Sequence, residues 1–396
     1  MNTGKILKRN KYFMMSLMAM MMVFLIFLIK MKKVDAASGT EWDWTKEVLE
    51  NYEDRGLKKT KDGFYYTMDS KTIVMGFRDM YGFGSISKKV YDKYRKKYEG
   101  KKNCCYLIGY MGYKKKIRLP EEIEGCSRYV LCLRGMPGMK EQVKQVTIPA
   151  NVRILSILQD NPVDENGDHT LYLETSPFKY KFQVEMGNKD VKSIKGLLYS
   201  KNEKILYGIP TSTRKEVIVS DKTEKVYISF GIKIPRLVLG KNVSNIAAQP
   251  HLNSTDIKEL KVKKGNRHFT VKDNVLYSKD MKRLYFSISR KGGTYRMPDR
   301  VERMDRYALD GTKYRKVILS DRLKRIPFFA LHIDSLEEVV IGKNVSRIDN
   351  FSGPYSDLKC ITVKKGNPYF IVKNKNELYT SDGSKYYIHG VFKTVK

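Results

Sequence analysis

The sequence of 396 residues predicts a β-rich repeat solenoid, because six columns of apolar residues recur every 22 positions between residues 295 and 363. Self-similarity at a period of roughly 20–50 residues is typical of proteins built from stacked supersecondary units. The spacing inside each unit supports the same fold class. The columns are Tyr295, Val317, Val339 and Ile361; Met297, Leu319, Ile341 and Val363; Val301, Leu323 and Val345; Met304, Ile326 and Ile348; Tyr307, Phe329 and Phe351; and Tyr314, Leu336 and Leu358.

Each unit begins with a short predicted strand. The first two columns lie two residues apart, so in a segment such as 317–319 they point to one face of the strand. The next apolar positions, Leu323 and Ile326, lie three residues apart, which predicts an irregular or 3₁₀-like return path. About six buried side chains cannot offset the entropy of ordering one unit, so neighbouring units must share a core. Turn-forming residues end the strands: Pro298, Ser320 and Gly342.

The aromatic column is predicted to point into the core. On this interpretation Phe329→Ala costs roughly 3–5 kcal/mol, the range for an aromatic cavity in a packed core. Arg325 belongs to no column and is predicted to be exposed, so Arg325→Ala stays within about 0.5 kcal/mol.

The segments 295–308, 317–330 and 339–352 resemble the BspA-type leucine-rich repeat of bacterial surface proteins. They share an apolar strand, a Val and an Ile three residues apart, and an aromatic residue beside Ala in Tyr307-Ala308 and Phe329-Ala330; the third unit departs with Phe351-Ser352. The resemblance covers roughly residues 106–396. It implies a leucine-rich-repeat horseshoe with short strands, 3₁₀ or irregular return paths and β-hairpin insertions, and a surface location. It says almost nothing about a ligand.

Three insertions between the units resemble one another and predict β-hairpins. They span residues 194–209, 271–288 and 372–390, and each is a strand, a polar turn and a second strand. The pentapeptide Val-Lys-Lys-Gly-Asn precedes two of them, at 262–266 and 363–367.

The N-terminus carries an export segment. Residues 12–29 hold no charge, follow a basic stretch and precede small residues at 36–38, which predicts a signal peptide over 1–37. The uncharged stretch is also long enough for an uncleaved signal anchor helix, and both interpretations stay open. Either one predicts a secreted or cell-surface protein.

The remaining chain divides into a divergent N-terminal portion, 38–115, and a solenoid, 116–396. Trp42, Trp44, Val48, Leu49 and Tyr52 predict an amphipathic helix that caps the solenoid. An alternative is a small wall-binding or enzymatic domain in 39–115 that the repeats present.

The charge of the chain predicts an anionic partner. Its 76 Lys and Arg residues exceed its 43 Asp and Glu residues, for a net charge of +33. Such an excess favours a protein or an anionic polymer or glycan at a cell surface, although scattered lysines also serve solubility alone. Nucleic acid is not expected, and membrane contact is expected only through an uncleaved N-terminal segment.

We expect no catalytic activity, no cofactor and no metal. The five cysteines are an odd number, the five histidines are dispersed, and no phosphate-binding glycine loop occurs. The predicted function is therefore non-catalytic binding, either adhesion or interaction with protein or glycan.

The outward positions of the repeated strands are the predicted binding face. Ile318 and Val340 are apolar where a solvated strand has polar residues, and exposed apolar patches often mark interaction sites. The alternative is that a hairpin covers them. The candidate binding residues are Arg296, Lys316, Ile318, Glu338, Val340 and Thr362.

Overall fold

The computed structural model describes residues 57–68, 104–110, 112–131, 143–157, 180–228, 232–248, 256–349 and 358–384. The chain divides into two compact units, Met1–Asn51 and Tyr52–Lys396, and every described residue belongs to the second. The predicted signal or anchor helix therefore lies outside the described residues, as does nearly all of the predicted capping helix. Among the described residues, no helix has the length and apolar character needed to cross a membrane.

Short strands make up nearly all of the regular structure in the described ranges. The first half contains β1 (Lys58–Lys59), β2 (Phe64–Thr67), β3 (Cys105–Tyr110), β4 (Lys116–Arg118), β5 (Arg128–Leu131), β6 (Gln145–Ile148), β7 (Arg153–Ile157), β8 (Lys181–Val184), β9 (Val191–Ile194), β10 (Leu197–Ser200), β11 (Ile205–Gly208), β12 (Val217–Ile218), β13 (Lys225–Ile228), β14 (Lys233–Leu239) and β15 (Asn245–Ala248).

The second half contains β16 (Asp256–Val262), β17 (Phe269–Lys272), β18 (Val275–Ser278), β19 (Arg283–Ser287), β20 (Gly292–Arg296), β21 (Arg303–Met304), β22 (Lys313–Ile318), β23 (Arg325–Ile326), β24 (Glu338–Ile341), β25 (Arg347–Ile348), β26 (Cys360–Val363), β27 (Phe370–Lys373) and β28 (Glu377–Thr380).

These strands form a β-solenoid of about nine turns, with one strand on each of two faces per turn. The front sheets are parallel and have the orders β4-β6-β8, β12-β14-β16 and β20-β22-β24-β26. The back sheets are β1-β2-β3-β5-β7, β15-β13-β11-β10-β9, β17-β18-β19-β21 and β23-β25. The predicted solenoid of short strands is therefore present.

The register of the front sheets follows the 22-residue period. Tyr295 pairs with Val317, Val317 with Val339, and Val339 with Ile361. All four side chains are buried, as are the described members of the third, fourth and sixth columns. The second column is buried except for Val363, which packs partly buried against the same core. The alternation of side chains along a strand explains why this pattern was readable from the sequence.

The return path of the described turns is irregular over most of its length, as one of the two predicted alternatives had it, and the 3₁₀ alternative is not found there. The return path also carries short strands, and the parallel pairs β19–β21 and β23–β25 belong to the back sheets. The described residues contain no 3₁₀ segment. Backbone groups on the return path bond to the same groups one turn away, as when Asp349 N–H donates to the Ile326 carbonyl at 2.9 Å.

The aromatic column does not point into the core. Tyr307 and Phe329 are only partly buried, and their φ angles are 58° and 56°. A left-handed residue turns the chain, so the next residue faces inward, and Ala308 and Ala330 are fully buried there. Phe351 lies outside the described residues.

Arg325 is less exposed than predicted. Its side chain is 28% exposed and its guanidinium binds the carboxylate of Asp349, whose side chain is 6% exposed. The turn that carries Arg325 therefore depends on an ion pair that the sequence pattern did not reveal.

Two of the predicted hairpins are present as the antiparallel pairs β10–β11 and β18–β19, and the second strand of the third lies outside the described residues. A further antiparallel turn, just before each predicted hairpin, closes the edge of a front sheet. The turn after β9 brings the Gly196 carbonyl to the Phe182 N–H at 3.0 Å. The turn after β17 brings Asn274 Oδ1 to the Leu260 N–H at 3.0 Å. The turn after β27 brings the Lys375 carbonyl to the Ile361 N–H at 2.7 Å. Strands β8, β16 and β26 are thus the last strands of their front sheets.

Three buried cores correspond to the three front sheets. One contains residues from β2 to β10, the second residues from β10 to β19, and the third residues from β18 to β28. We call these the first, second and third modules. Strands β2 and β3 share a sheet and the first core with β5 and β7, so the described parts of 57–110 pack with the repeats.

An asparagine joins the hairpin of each module to the preceding turn. Asn266 donates to the carbonyls of Gly240 and Val243, both at 2.9 Å, and accepts from the N–H groups of His268 and Phe269, both at 2.8 Å. Asn188 and Asn367 make the same four bonds in their modules. We call these residues the asparagine clamps. Two of them end the pentapeptides noted above.

The position that ends a front strand, occupied by Gly342 in one unit, requires a small residue where neighbouring turns approach closely. A Cβ on Gly342 would lie 2.1 Å from the Ser320 carbonyl oxygen one turn earlier. The backbones therefore pack against each other at this position.

Candidate functional site

The structure places the predicted binding residues side by side on the front sheet of the third module. Arg296, Ile318, Val340 and Thr362 form one row across β20, β22, β24 and β26. Arg296 and Thr362 are exposed, whereas Ile318 and Val340 are partly buried. The row is thus an apolar pair between two polar ends.

A second row lies two residues earlier on the same strands. Lys316 Nζ and a carboxylate oxygen of Glu338 are 2.6 Å apart, and Glu338 is in register with Cys360. The described hairpins pair into the back sheets or with themselves and reach the front sheets at an edge. We call the six predicted residues on these two rows the front patch.

The second module repeats this arrangement, which the sequence interpretation missed. Ile218 and Val238 are in register on β12 and β14, and Ile218 is 52% exposed. Beside them Arg236 forms ion pairs with Glu216, at 3.0 Å, and with Glu259. The signal was available, because Ile218 and Val238 each lie between two buried apolar residues.

A row of arginines crosses the back of the third module, and the sequence interpretation also missed it. Arg303 is in register with Arg283, and Arg347 with Arg325. Arg303, Arg325 and Arg347 each directly precede a residue of the fourth column, so the 22-residue period already places these three together. Arg283 directly precedes Leu284, the equivalent residue on β19. We call these four residues the arginine row.

Four partly buried aromatic side chains lie two to four residues after members of the arginine row along the chain. The rings of Tyr307 and Phe329 stack at 5.2 Å with an interplanar angle of 14°, and Phe328 meets Phe329 at 5.1 Å. The Arg283 guanidinium lies 4.7 Å from the centroid of the Tyr285 ring. We call Tyr285, Tyr307, Phe328 and Phe329 the aromatic strip. A bulky residue at positive φ costs roughly 1–3 kcal/mol, and such strain is often found at ligand sites.

A histidine and an aspartate stand behind the aromatic strip. His332 Nδ1 lies 2.6 Å from Asp310 Oδ1, and the His332 ring meets Phe329 edge-on at 5.7 Å. The hydrogen bond to Asp310 raises the pKa of His332 above its ordinary value, against the opposing effect of burial.

The remaining titratable groups support the fold. The hydrogen bond from Lys192 lowers the pKa of Glu203 to about 2, and Ser220 adds a second bond from the next turn. Burial raises the pKa of Tyr277, whose hydroxyl lies 2.8 Å from that of Tyr295, to about 12.

Metal and disulfide sites are absent from the described ranges. No group of three or more His, Cys, Asp or Glu residues there could hold a metal ion. The four described cysteines, Cys104, Cys105, Cys126 and Cys360, form no disulfide. What the two faces offer is apolar contact, ion pairs and guanidinium donors.

Comparisons by sequence found no relatives. No family model matches the chain. No curated protein matches it either.

The chain is structurally similar to several solved structures. A leucine-rich repeat protein from Eubacterium ventriosum is 13% identical, with a TM-score of 0.38 over 66% of this chain and 68% of the other. The pneumococcal vaccine antigen PcpA is 14% identical, with a TM-score of 0.35 over 79% and 82%. A leucine-rich cell surface protein from Faecalibacterium prausnitzii is 11% identical, with a TM-score of 0.30 over 77% and 88%.

Proposed function

We propose that the chain is an exported or cell-surface repeat protein of the BspA-like leucine-rich type that binds a partner protein without catalysis. The observation that carries this proposal is the front patch, where Ile318 and Val340 lie between Arg296, Thr362 and the Lys316–Glu338 ion pair. Apolar centres with polar rims are typical of protein interfaces. The predicted export segment in residues 1–37 supports the location.

A sheet built this way suits binding to a protein. Its strands are hydrogen-bonded on both sides except at the module edges, so the front patch needs no ordering when it binds. Preorganisation of this kind lowers the entropic cost of association. The similar apolar pair on the second module, Ile218 and Val238, extends the same surface chemistry to a second sheet.

The experiment measures binding of the full chain, labelled, to intact cells that have been treated with trypsin or with periodate. We expect trypsin to abolish binding, because the partner is a protein. The variant Ile318→Glu/Val340→Glu should bind about tenfold less tightly, since a hot spot of about 1.4 kcal/mol is lost. Ile371→Glu changes an apolar residue outside the front patch, 41% exposed, and serves as the control.

Two results would contradict the proposal. One is unchanged binding of the double variant, and the other is binding that periodate removes but trypsin does not. Antibody labelling of intact producing cells tests the location separately, and labelling that requires lysis would exclude a surface protein.

The alternative function, a small wall-binding or enzymatic domain in 39–115, has less support. Strands β1, β2 and β3 of that segment pair in one sheet with β5 and β7. Expression of 39–115 alone separates the two ideas. We expect an unfolded product, and a folded monomer with wall-binding or enzymatic activity would favour the alternative.

A further inference from the structure

We propose that the arginine row and the aromatic strip form a second binding site, on the back of the third module, for a linear acidic polysaccharide. The carboxylate or sulfate groups of the polymer bind the guanidinium groups, and its sugar rings lie against the aromatic side chains. This inference goes beyond the front patch and uses none of its residues.

The arginine row carries more positive charge than its neighbours neutralise. Arg283 pairs with Asp305 at 2.7 Å, while Arg325 and Arg347 share the single carboxylate of Asp349. Arg303 forms no ion pair with any described residue and is exposed. Among the described residues, the carboxylates of Asp305 and Asp349 thus pair with three of the four guanidinium groups.

The guanidinium groups keep donors for a ligand. An arginine has five N–H donors in a planar fork that matches a carboxylate or a sulfate. The side chain of Arg347 is 66% exposed and uses its Nε for Asp349 at 2.8 Å. Arg283 and Arg303 lie on one pair of neighbouring strands and Arg325 and Arg347 on another, with about 4.8 Å between paired strands. The four residues therefore offer a series of positive charges rather than one anion pocket, and a polymer with repeated charges fits such a series.

The aromatic strip indicates a polymer made of sugars. Tyr307 and Phe329 occupy equivalent positions in consecutive turns, and both are held at positive φ. Glycine or asparagine would adopt that backbone without strain, so the sequence keeps rings at a conformational cost. The electron-rich face of a ring attracts the positively polarised C–H groups that line one side of many sugars.

The packing of the rings disfavours nucleic acid. Single-stranded nucleic acids bind by stacking bases on separate aromatic platforms. Here Tyr307 and Phe329 already stack on each other at 5.2 Å, so no base can enter between them. A sugar can instead pack against the parts of these partly buried side chains that stay exposed.

The test compares the full chain with three variants on four probes. The probes are polygalacturonate, a sulfated glycosaminoglycan, polyphosphate and single-stranded oligo-dT, with neutral dextran as the blank. The first variant is Arg303→Gln/Arg347→Gln, which leaves Arg325 as a partner for Asp349. The second, Lys343→Gln/Lys365→Gln, removes the same charge from exposed lysines that form no ion pair with the described residues. The third is Tyr307→Asn/Phe329→Asn, because asparagine tolerates positive φ.

We expect the protein to bind polygalacturonate or the glycosaminoglycan more tightly than the other probes, with affinity that falls as salt rises. The two lost guanidinium groups should weaken that binding about tenfold or more, whereas the lysine control should stay within about twofold. The aromatic variant should lose binding to the acidic glycans and keep the weaker binding to polyphosphate. The polygalacturonate and glycosaminoglycan arms distinguish carboxylate from sulfate recognition.

Two outcomes would overturn the proposal. Tighter binding of polyphosphate or oligo-dT would mean that the site recognises charge alone or nucleic acid. An equal loss from the lysine control would mean that the diffuse charge of the protein, not this row, makes the contact. The front-patch variant Ile318→Glu/Val340→Glu should bind the acidic glycans normally, so failure of the two proposals is distinguishable. Thermal unfolding of each variant confirms that it is folded.

Discussion

Single asparagine side chains connect successive turns of this solenoid. Asn266 is 2% exposed, and its four hydrogen bonds reach backbone groups on two turns. The asparagine clamps therefore supply hydrogen-bond partners to backbone groups that would otherwise be buried without them.

Asn266→Ala should lower the free energy of unfolding by roughly 3 kcal/mol or more, because each buried group left without a partner costs about 1–3 kcal/mol. Asn242→Ala is the matched control. Asn242 is exposed and donates one bond, to the Asp221 carbonyl at 2.7 Å, so its loss should cost about 1 kcal/mol or less. Urea unfolding measures both. Equal costs would show that the clamp is not essential.

The outward orientation of the aromatic column, opposite to the one predicted, gives a second prediction. Phe329 has the left-handed backbone and is partly exposed, whereas Leu331, two residues later, is fully buried. Leu331→Ala should cost roughly 2–5 kcal/mol, the range for a buried leucine. Phe329→Gly should cost less, because glycine relieves the strain at φ 56° while the core slot stays filled by Ala330. Thermal or urea unfolding compares them. If Phe329→Gly proved costlier, the ring would have to contribute to the core.

His332 gives a pH dependence. Its folded-state pKa is raised by the bond to Asp310, so the protonated form stabilises the fold. That contribution is fully present below the ordinary pKa of about 6.5 and is lost as the pH rises through the raised value. The wild-type protein should therefore lose stability relative to His332→Gln as the pH rises from about 6.5 through the raised pKa of His332. Urea unfolding over a pH series measures the difference, and parallel curves would exclude the linkage.

At the scale of elements, the antiparallel turns before the hairpins act as edge closures. An open strand edge presents unpaired N–H and C=O groups that invite aggregation. In the second module Asn274 stands in for a further strand, accepting from Leu260 N–H and donating to the Lys258 carbonyl, both at 3.0 Å. The turn that carries it has φ 61° at Asn274.

Replacing Asn274 should open this edge. Asn274→Gly keeps the left-handed turn and removes only the side-chain bonds, so hydrogen exchange at Leu260 should become faster while the overall fold persists. Asn274→Ala should add backbone strain and lower the unfolding free energy further. Unchanged protection of Leu260 in the glycine variant would mean that another group closes β16.

At the scale of the whole molecule, three cores replace one continuous repeat. The front sheets of neighbouring modules do not pair with each other in the described ranges, because a hairpin turn closes each one. Cooperativity in a solenoid follows the interfaces between neighbouring units. We therefore expect the module, rather than the single 22-residue unit or the full chain, to unfold together.

Leu323→Ala tests this expectation, since Leu323 is fully buried in the third core. The cavity should reduce hydrogen-exchange protection across β20, β22, β24 and β26, and much less across β12, β14 and β16. Leu237→Ala, at a fully buried site of the second core, is the matched control and should give the reverse pattern. Loss of protection confined to the unit around residue 323 would contradict modular unfolding.

The sequence by itself determined the features that follow a fixed spacing. The period of 22 residues gave the front strands and their register, and residues two apart gave their buried face, because side chains alternate along any strand. The two described hairpins, β10–β11 and β18–β19, and their polar turns were also readable from composition. The six residues of the front patch could be placed on a common face in this way, although their ligand could not.

Tertiary structure decided the features in which one backbone angle or one distant partner redirects a side chain. Tyr307 and Phe329 point away from the core because a left-handed φ reverses the alternation that the column assumed. Arg325 is held by Asp349 on the next turn, 24 positions later, and no local pattern shows this contact. The closure of the front-sheet edges by turns likewise depends on partners that are distant in sequence, such as Asn274 and Leu260. Such contacts depend on which turns stack, and stacking is a property of the folded solenoid.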